Sequence, residues 1–392
     1  MTGLGQNLKQ RLSEIEGQHL YRRRKVLDGP QGVVVSMQGK RLLNFCSNDY
    51  LGLANHPEVV RALQKGAAEF GAGSGAAHLV CGHSKAHHAL EEELADFLGC
   101  DRVLLFSTGY MANLGVISAL LGRGDCVFED RLNHASLLDG GLLSGARFRR
   151  FPHVDMQALD SMLRTANGKN KLIVSDGVFS MDGELAPLPK MAEVADKSGA
   201  WLMVDDAHGI GVIGDRGRGA FDHYKMNVGQ ADVLVGTLGK GFGTFGAFVA
   251  GSEELVEFLI QKARSYIYTT AIPSSVVGAT RVSLQLVIKE PWRRQKLVGL
   301  ISHFRAGAER LGLKMVRSFT PIQPILIGDS RAALEMSEEL QKQGVLVSAI
   351  RPPTVPEGSA RLRVTFSAAH EIEHVDCLLD ALDYTLVSQS DG

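Results

Sequence analysis

Apolar positions along this chain come in short blocks with two distinct spacings. Near the start, Val33-Val34-Val35 and Leu42-Leu43-Asn44-Phe45 flank Gln38-Gly39, a pattern that predicts a β-hairpin after an amphipathic opening segment. Further on, dense aliphatic and β-branched runs recur at residues 103–106, 126–128, 172–174, 201–204, 233–235 and 247–250. Most are separated by stretches of helical periodicity, such as 90–98 and 156–163. Strands that are apolar on both faces, alternating with helices, predict a largely parallel sheet covered on each side.

Near Pro291 the order changes. A long helical stretch over 292–311 is followed by a strand-like run at 323–327, a helix over 332–343, strand-like runs at 345–350 and 362–366, and a last helix from Glu371. The expected organisation is an N-terminal arm and hairpin (1–46), a large α/β domain (47–289) and a smaller C-terminal α+β domain (290–392). At 392 residues the chain exceeds the ~250–300 at which a single core stops growing, which agrees with a second unit.

Composition narrows the class. Hydrophobic residues make up 45% and charged residues 22%, an ordinary globular balance. The net charge of -1 provides no bulk field for nucleic acid or an anionic membrane. One basic cluster, Arg22-Arg23-Arg24-Lys25, is either a solvated stretch or an anion contact for an acidic substrate. The five cysteines are scattered and odd in number, which argues against a disulfide framework or a zinc ribbon and fits a reducing cytosol. With no signal pattern and no apolar run near ~18 residues, a soluble cytoplasmic protein is expected.

Candidate chemistry gathers where strands end. The strand at 201–204 runs into Asp205-Asp206-Ala207-His208-Gly209, at the carboxyl end where open α/β sheets bind ligands. At a pyridine nitrogen, a carboxylate would keep the ring cationic and electron-withdrawing; Asp205 is the candidate, with His208 on the ring hydroxyl and Asp206 as the alternative acid. Both acids read equally well as loop caps. After the strand at 233–235 comes Thr237-Leu238-Gly239-Lys240-Gly241, where glycines give a lysine room to swing. Lys240 is either an ordinary surface lysine or one that forms a Schiff base. Ser107-Thr108-Gly109-Tyr110 opens a helix after a strand, a turn suited to a phosphate. Asn133-His134 and Ser180 follow two further strands, His134 being either a ring-stacking residue or a satisfied cap. Five strand ends with polar residues weigh more than any one of them.

Other readings fail on spacing. Only two residues separate Gly236 from Gly239-Lys240, and Gly241 follows instead of Ser or Thr, so no P-loop is present. Gly71-Ala72-Gly73-Ser74-Gly75 follows no strand and departs from the dinucleotide fingerprint. His83 and His87 are one turn apart but find no third ligand in the local sequence, so no metal is expected.

Together these segments resemble the α-oxoamine synthases, fold-type I pyridoxal-phosphate (PLP) enzymes. The resemblance spans nearly the whole chain and rests on Ser47-Asn48-Asp49-Tyr50-Leu51-Gly52, residues 130–136, 178–183, 204–209 and 237–241, and on Ile350-Arg351-Pro352-Pro353-Thr354-Val355-Pro356 with Ala360-Arg361-Leu362-Arg363. The last two pieces match the branch that joins L-alanine to a pimeloyl thioester with loss of carbon dioxide.

The resemblance implies a large, mostly parallel sheet domain with helices on both faces and a smaller C-terminal α+β domain. It implies that Lys240 bonds the cofactor, with Asp205 at the pyridine nitrogen, His208 at the ring hydroxyl with Ser180 nearby, and His134 stacked on the ring beside the substrate. The phosphate would be held by the backbone of Gly109 and Tyr110, by Thr237 and by the partner subunit's Thr270 in a homodimer with shared sites. Asn48 and Arg363 would take the amino-acid carboxylate, and Arg22 and Thr354 the acyl donor, pimeloyl-CoA or a pimeloyl carrier protein. Neither nucleic acid nor membrane is implied as a partner. The competing readings are sister synthases using glycine or serine with other acyl thioesters, and a fold-type I aminotransferase.

Overall fold

The computed structural model describes residues 3–390; Met1, Thr2, Asp391 and Gly392, the outer ends of the expected first and last segments, lie outside the described residues. In chain order the strands are β1 (Val34–Met37), β2 (Lys40–Asn44), β3 (Arg102–Phe106), β4 (Cys126–Asp130), β5 (Arg147–Phe151), β6 (Lys171–Asp176), β7 (Trp201–Asp205), β8 (Val233–Thr237), β9 (Ala247–Gly251), β10 (Ile322–Gly328), β11 (Val345–Leu346), β12 (Ser348–Ile350) and β13 (Ala360–Thr365). By contacts the chain groups into two units, one made of Asp49–Ser180 and Glu184–Gln295, the other of the chain up to Asn48, Met181–Gly183 and Lys296 onward.

The first of these units is built on a seven-stranded sheet in the order β3-β9-β8-β7-β6-β4-β5. Strands β4 to β8 pair parallel. Strand β9 runs antiparallel to both β8 and β3, so β3 shares the common direction and β9 alone is reversed. The apolar runs become strands because both faces are covered: Leu104, Val127, Leu172, Val174, Met203 and Val235 pack with Val116 and Ile117 of the helix Gly109–Leu120. Each such side chain removed from water contributes roughly 1.5–3 kcal/mol. Strand β5 has no counterpart in the sequence reading. It carries Arg147, Arg149 and Arg150, and at the sheet edge, paired on one side only, charged residues reach water.

The second unit holds two three-stranded sheets, β1-β2-β11 and β10-β13-β12. Gln38 and Gly39 both take positive φ, 53° and 73°, and join β1 to β2 in the two-residue turn whose twist suits a hairpin. The single strand expected over 345–350 is two: β11 pairs parallel with β2, β12 antiparallel with β13. Val347, fully buried between them, marks where the chain changes sheets. Among the described residues no helix is long and apolar enough to cross a membrane.

Candidate active site

Because β3, β4, β6, β7 and β8 point the same way, Ser107, Asp130, Asp176, Asp205 and Thr237 all arrive at one edge of the sheet. Register sets Asp176 directly beside Asp205 on neighbouring strands, which lie about 4.8 Å apart in any sheet. Both are buried. Burial first, and then the charge of Asp205, push the Asp176 carboxyl well above the usual carboxylate range; the backbone N–H of His134, donating to its Oδ2 at 2.7 Å, opposes this.

Asp205 is fixed on both oxygens. Asn113 Nδ2 donates to Oδ2 at 2.6 Å, and the Ala207 N–H to Oδ1 at 3.0 Å. The same Asn113 nitrogen lies 2.8 Å from Ser136 Oγ, which in turn is 2.7 Å from His134 Nδ1. A chain of side chains therefore joins the acid to the imidazole. His134 caps the helix Ala135–Ser144 and remains exposed, so its ring keeps open surface. Its imidazole is held below the ordinary value by partial burial, against the pull of Asp205 and with Lys240 adding to the shift.

Asp206 is placed otherwise. It is fully buried, its Oδ2 accepts the Ala220 N–H at 2.7 Å, and it sits where a Cβ on Gly209 or Gly219 would come within 2.1 and 1.9 Å of its carboxylate. The glycines are required by that close approach. Walled in, Asp206 ties loops together and reaches nothing outside.

Lys240, half-buried after β8, has its Nζ 2.8 Å from His208 Nε2, while His208 Nδ1 lies 2.7 Å from the Tyr50 hydroxyl. An imidazole bracketed by an amine and a phenol couples its tautomer to the protonation of both. Gly109 and Tyr110 are the first residues of their helix, whose N-cap Thr108 accepts from the Met111 N–H at 3.2 Å. First-turn amides have no partner within the helix, and a Cβ on Gly109 would meet nothing within 4 Å, so the turn opens onto free space. The Tyr110 hydroxyl is hydrogen-bonded to Asp139. Thr237 Oγ1 donates to the Gly246 carbonyl at 3.1 Å and accepts from the Gly239 N–H at 3.3 Å. Thr270 is exposed, and its carbonyl accepts from Ser107 Oγ at 3.3 Å. Ser180 is half-buried in the loop after β6.

The remaining expected residues belong to the other unit. Arg363, buried on β13, donates from a terminal nitrogen to Asn48 Oδ1 at 3.1 Å. Its neighbour in sequence, Arg361, is ion-paired with Asp182 and so is structural. Arg22 Nη2 donates to Thr354 Oγ1 at 3.4 Å, which unites two segments 332 residues apart. Both are exposed. Arg351 instead binds main chain, donating to the carbonyls of His19 and Tyr21.

Three participants carry no assigned role in the sequence reading: Asn113, Ser136 and Tyr50. Asn113 and Ser136 have no solvent exposure, and a polar residue inside an otherwise apolar helix such as Asn113 in Gly109–Leu120 is the signal that marks such a group.

With this geometry in place, the comparisons define the class. The chain matches the aminotransferase class I and II family over residues 40–382 and belongs to it. It has the fold-type I architecture of PLP-dependent transferases: a serine palmitoyltransferase from S. paucimobilis, solved with a bound PLP–myriocin aldimine, superimposes with a TM-score of 0.92 at 30% identity over 97% of each chain. In sequence it is similar to enzymes of a narrower kind. The 8-amino-7-oxononanoate synthase of Nitrosococcus oceani is 64% identical over 371 residues, 95% of this chain and 98% of that protein; the one from Methylococcus capsulatus is 61% identical over 95% and 96%. The resemblance read from the strand-end segments is thereby borne out.

Proposed function

We propose that this protein condenses L-alanine with a pimeloyl thioester to give 8-amino-7-oxononanoate, carbon dioxide and the free thiol carrier, a step of biotin biosynthesis, using PLP. The observation that carries the proposal is the contact of Lys240 Nζ with His208 Nε2 at the strand-end edge that also presents Asp205. The names of the relatives above support the product, 8-amino-7-oxononanoate, and the substrates are those the family resemblance implies.

The residues fit the cofactor. Two buried carboxylates, Asp176 and Asp205, stand side by side, and a cationic ring nitrogen at Asp205 would offset their repulsion. The open first turn at Gly109 and Tyr110 suits a phosphate, with Thr237 beside it and the partner subunit's Thr270 completing the site in a homodimer. When bound, PLP supplies a sink for the electron pair left on the amino acid's α-carbon.

The protein's own groups do the rest. Lys240 would hold the cofactor, and its amine would serve as the general base for the α-proton of alanine. His208, bonded through Nδ1 to Tyr50, would hold the ring hydroxyl, with Ser180 nearby. Asp205, fixed by Asn113, would keep the ring nitrogen protonated, and the exposed ring of His134 would supply a flat surface for stacking. Arg363 and Asn48 orient the alanine carboxylate, and the planar guanidinium decides which α-bond is presented for cleavage. Arg22 and Thr354 take the acyl donor, pimeloyl-CoA or a pimeloyl carrier protein. The proposed location is the cytoplasm, in keeping with five free, scattered cysteines.

Thiol release on mixing the PLP-loaded enzyme with L-alanine and pimeloyl-CoA tests the proposal. Release with alanine, and little with glycine plus acetyl-CoA or serine plus palmitoyl-CoA, is expected. A preference for either of those pairs would move the protein to a sister activity.

A further inference from the structure

Away from the sheet edge, four histidines crowd the start of the helix Lys85–Leu98. His78 Nδ1 lies 3.0 Å from His83 Nδ1, so one ring nitrogen donates to the other. His87 is turned inward: its Nε2 donates to the Ile272 carbonyl at 2.7 Å, and its Nδ1 accepts from the Ser84 N–H at 3.1 Å in a capping box. The His83/His87 pair suggested by spacing is therefore not a ligand pair. His83 instead turns its Nε2 toward Glu91 Oε2, 3.9 Å away, and one ligand atom each of His83, His88 and Glu91 lie within 4.8 Å of one another.

We infer that His83, His88 and Glu91 form a binding site for a divalent transition cation of the zinc class. Two imidazoles and one carboxylate are a known ligand set for zinc, with a fourth position left to water. The outer partners are already in place. His78 engages the Nδ1 of His83 and leaves its Nε2 for a metal, the arrangement in which ligating histidines are oriented by a bond on their other nitrogen. Glu91 Oε1 accepts the Leu105 N–H at 3.0 Å, which fixes the carboxylate and leaves Oε2 on the His83 side. His88 is exposed, its Nε2 3.4 Å from Glu92 Oε1, so a small rotation of a surface side chain closes the site to the ~2.0–2.2 Å that zinc needs.

The site is tested on tag-free holoenzyme, stripped with a chelator and dialysed against zinc chloride, with bound zinc counted per chain by atomic emission. One tightly bound zinc is expected, weakened at least ~10-fold in both His88→Ala and Glu91→Gln and unchanged in His303→Ala and Cys81→Ser. Since His88 is exposed, its replacement leaves the fold intact, and a near-native melting curve confirms that. The inference is overturned by the absence of stoichiometric zinc, by undiminished binding in His88→Ala, or by loss of the ion in Cys81→Ser. None of these results bears on the condensation proposed above, which is read separately by thiol release.

Discussion

Asn113 holds Asp205, its Nδ2 donating to Oδ2 at 2.6 Å while also reaching Ser136 at 2.8 Å. The acid is thus oriented by a residue on another element, and through Ser136 it is tied to His134. A hydrogen bond to a charged group is worth about 1.5–3 kcal/mol. Replacing Asn113 with Ala is expected to lower kcat by roughly 10-fold or more, with a smaller change in PLP affinity. Steady-state turnover and a PLP titration on the same variant measure the two effects; equal losses in both would assign Asn113 to cofactor binding instead.

Lys240→Ala is expected to bind PLP through the remaining contacts while losing the visible Schiff-base band and at least ~10²-fold of turnover. Absorbance spectra with and without the mutation decide this. An unchanged yellow band would remove Lys240 from its assigned role.

Arg363 presents a buried guanidinium that Asn48 fixes. Lysine keeps the charge but not the fork, so Arg363→Lys is expected to raise KM for alanine about 10-fold while KM for the acyl donor stays near its original value. For Arg22→Ala the opposite split is expected, since Arg22 bonds Thr354 and not Asn48. Initial rates with each substrate varied in turn distinguish the two.

Asp206 sets a pH dependence. Burial pushes its carboxyl from the ordinary 3.8 up to about 8. Between those values the folded protein keeps a proton that the unfolded chain releases. The stability contributed by that proton is complete below 3.8 and is lost as pH rises through about 8. Asp206→Asn lacks the term, so its stability relative to the unmutated protein is expected to rise steadily from about pH 5 to about pH 8 in denaturant titrations. A difference that stays constant over this window would contradict the assignment. Asp205→Asn, by contrast, is expected to lose at least ~10²-fold of turnover in steady-state assays.

Much of the fold could be read from spacing, for a physical reason. Strands β4, β6, β7 and β8 are covered on both faces, so each shows as an uninterrupted apolar run. Strand β5 does not, because three of its five residues are arginines at a sheet edge, so its buried Phe151 and core-packed Phe148 do not read as an apolar run. The division of 345–350 between two sheets was equally hidden, since only Val347 separates β11 from β12 and the strand each one meets lies elsewhere in the sequence.

Local sequence also set out the chemistry: a lysine among glycines, an acid pair followed by a histidine, and serine and threonine at a helix start. These follow from residue type and from the rule that strand ends face ligands. Which member of each set does what was decided in three dimensions. Asp205 and Asp206 are neighbours in sequence with the same side chain, yet one meets Asn113 at the open edge and the other is enclosed by Gly209 and Gly219. His83 and His87 sit one helical turn apart, yet one turns to Glu91 and the other to a buried carbonyl. The sequence by itself determined most of the strands and helices and the kinds of group available, because those depend on local periodicity and residue chemistry. Only the tertiary structure decided which groups share a site, because contacts such as Asn113 to Asp205 and Arg22 to Thr354 join residues 92 and 332 positions apart.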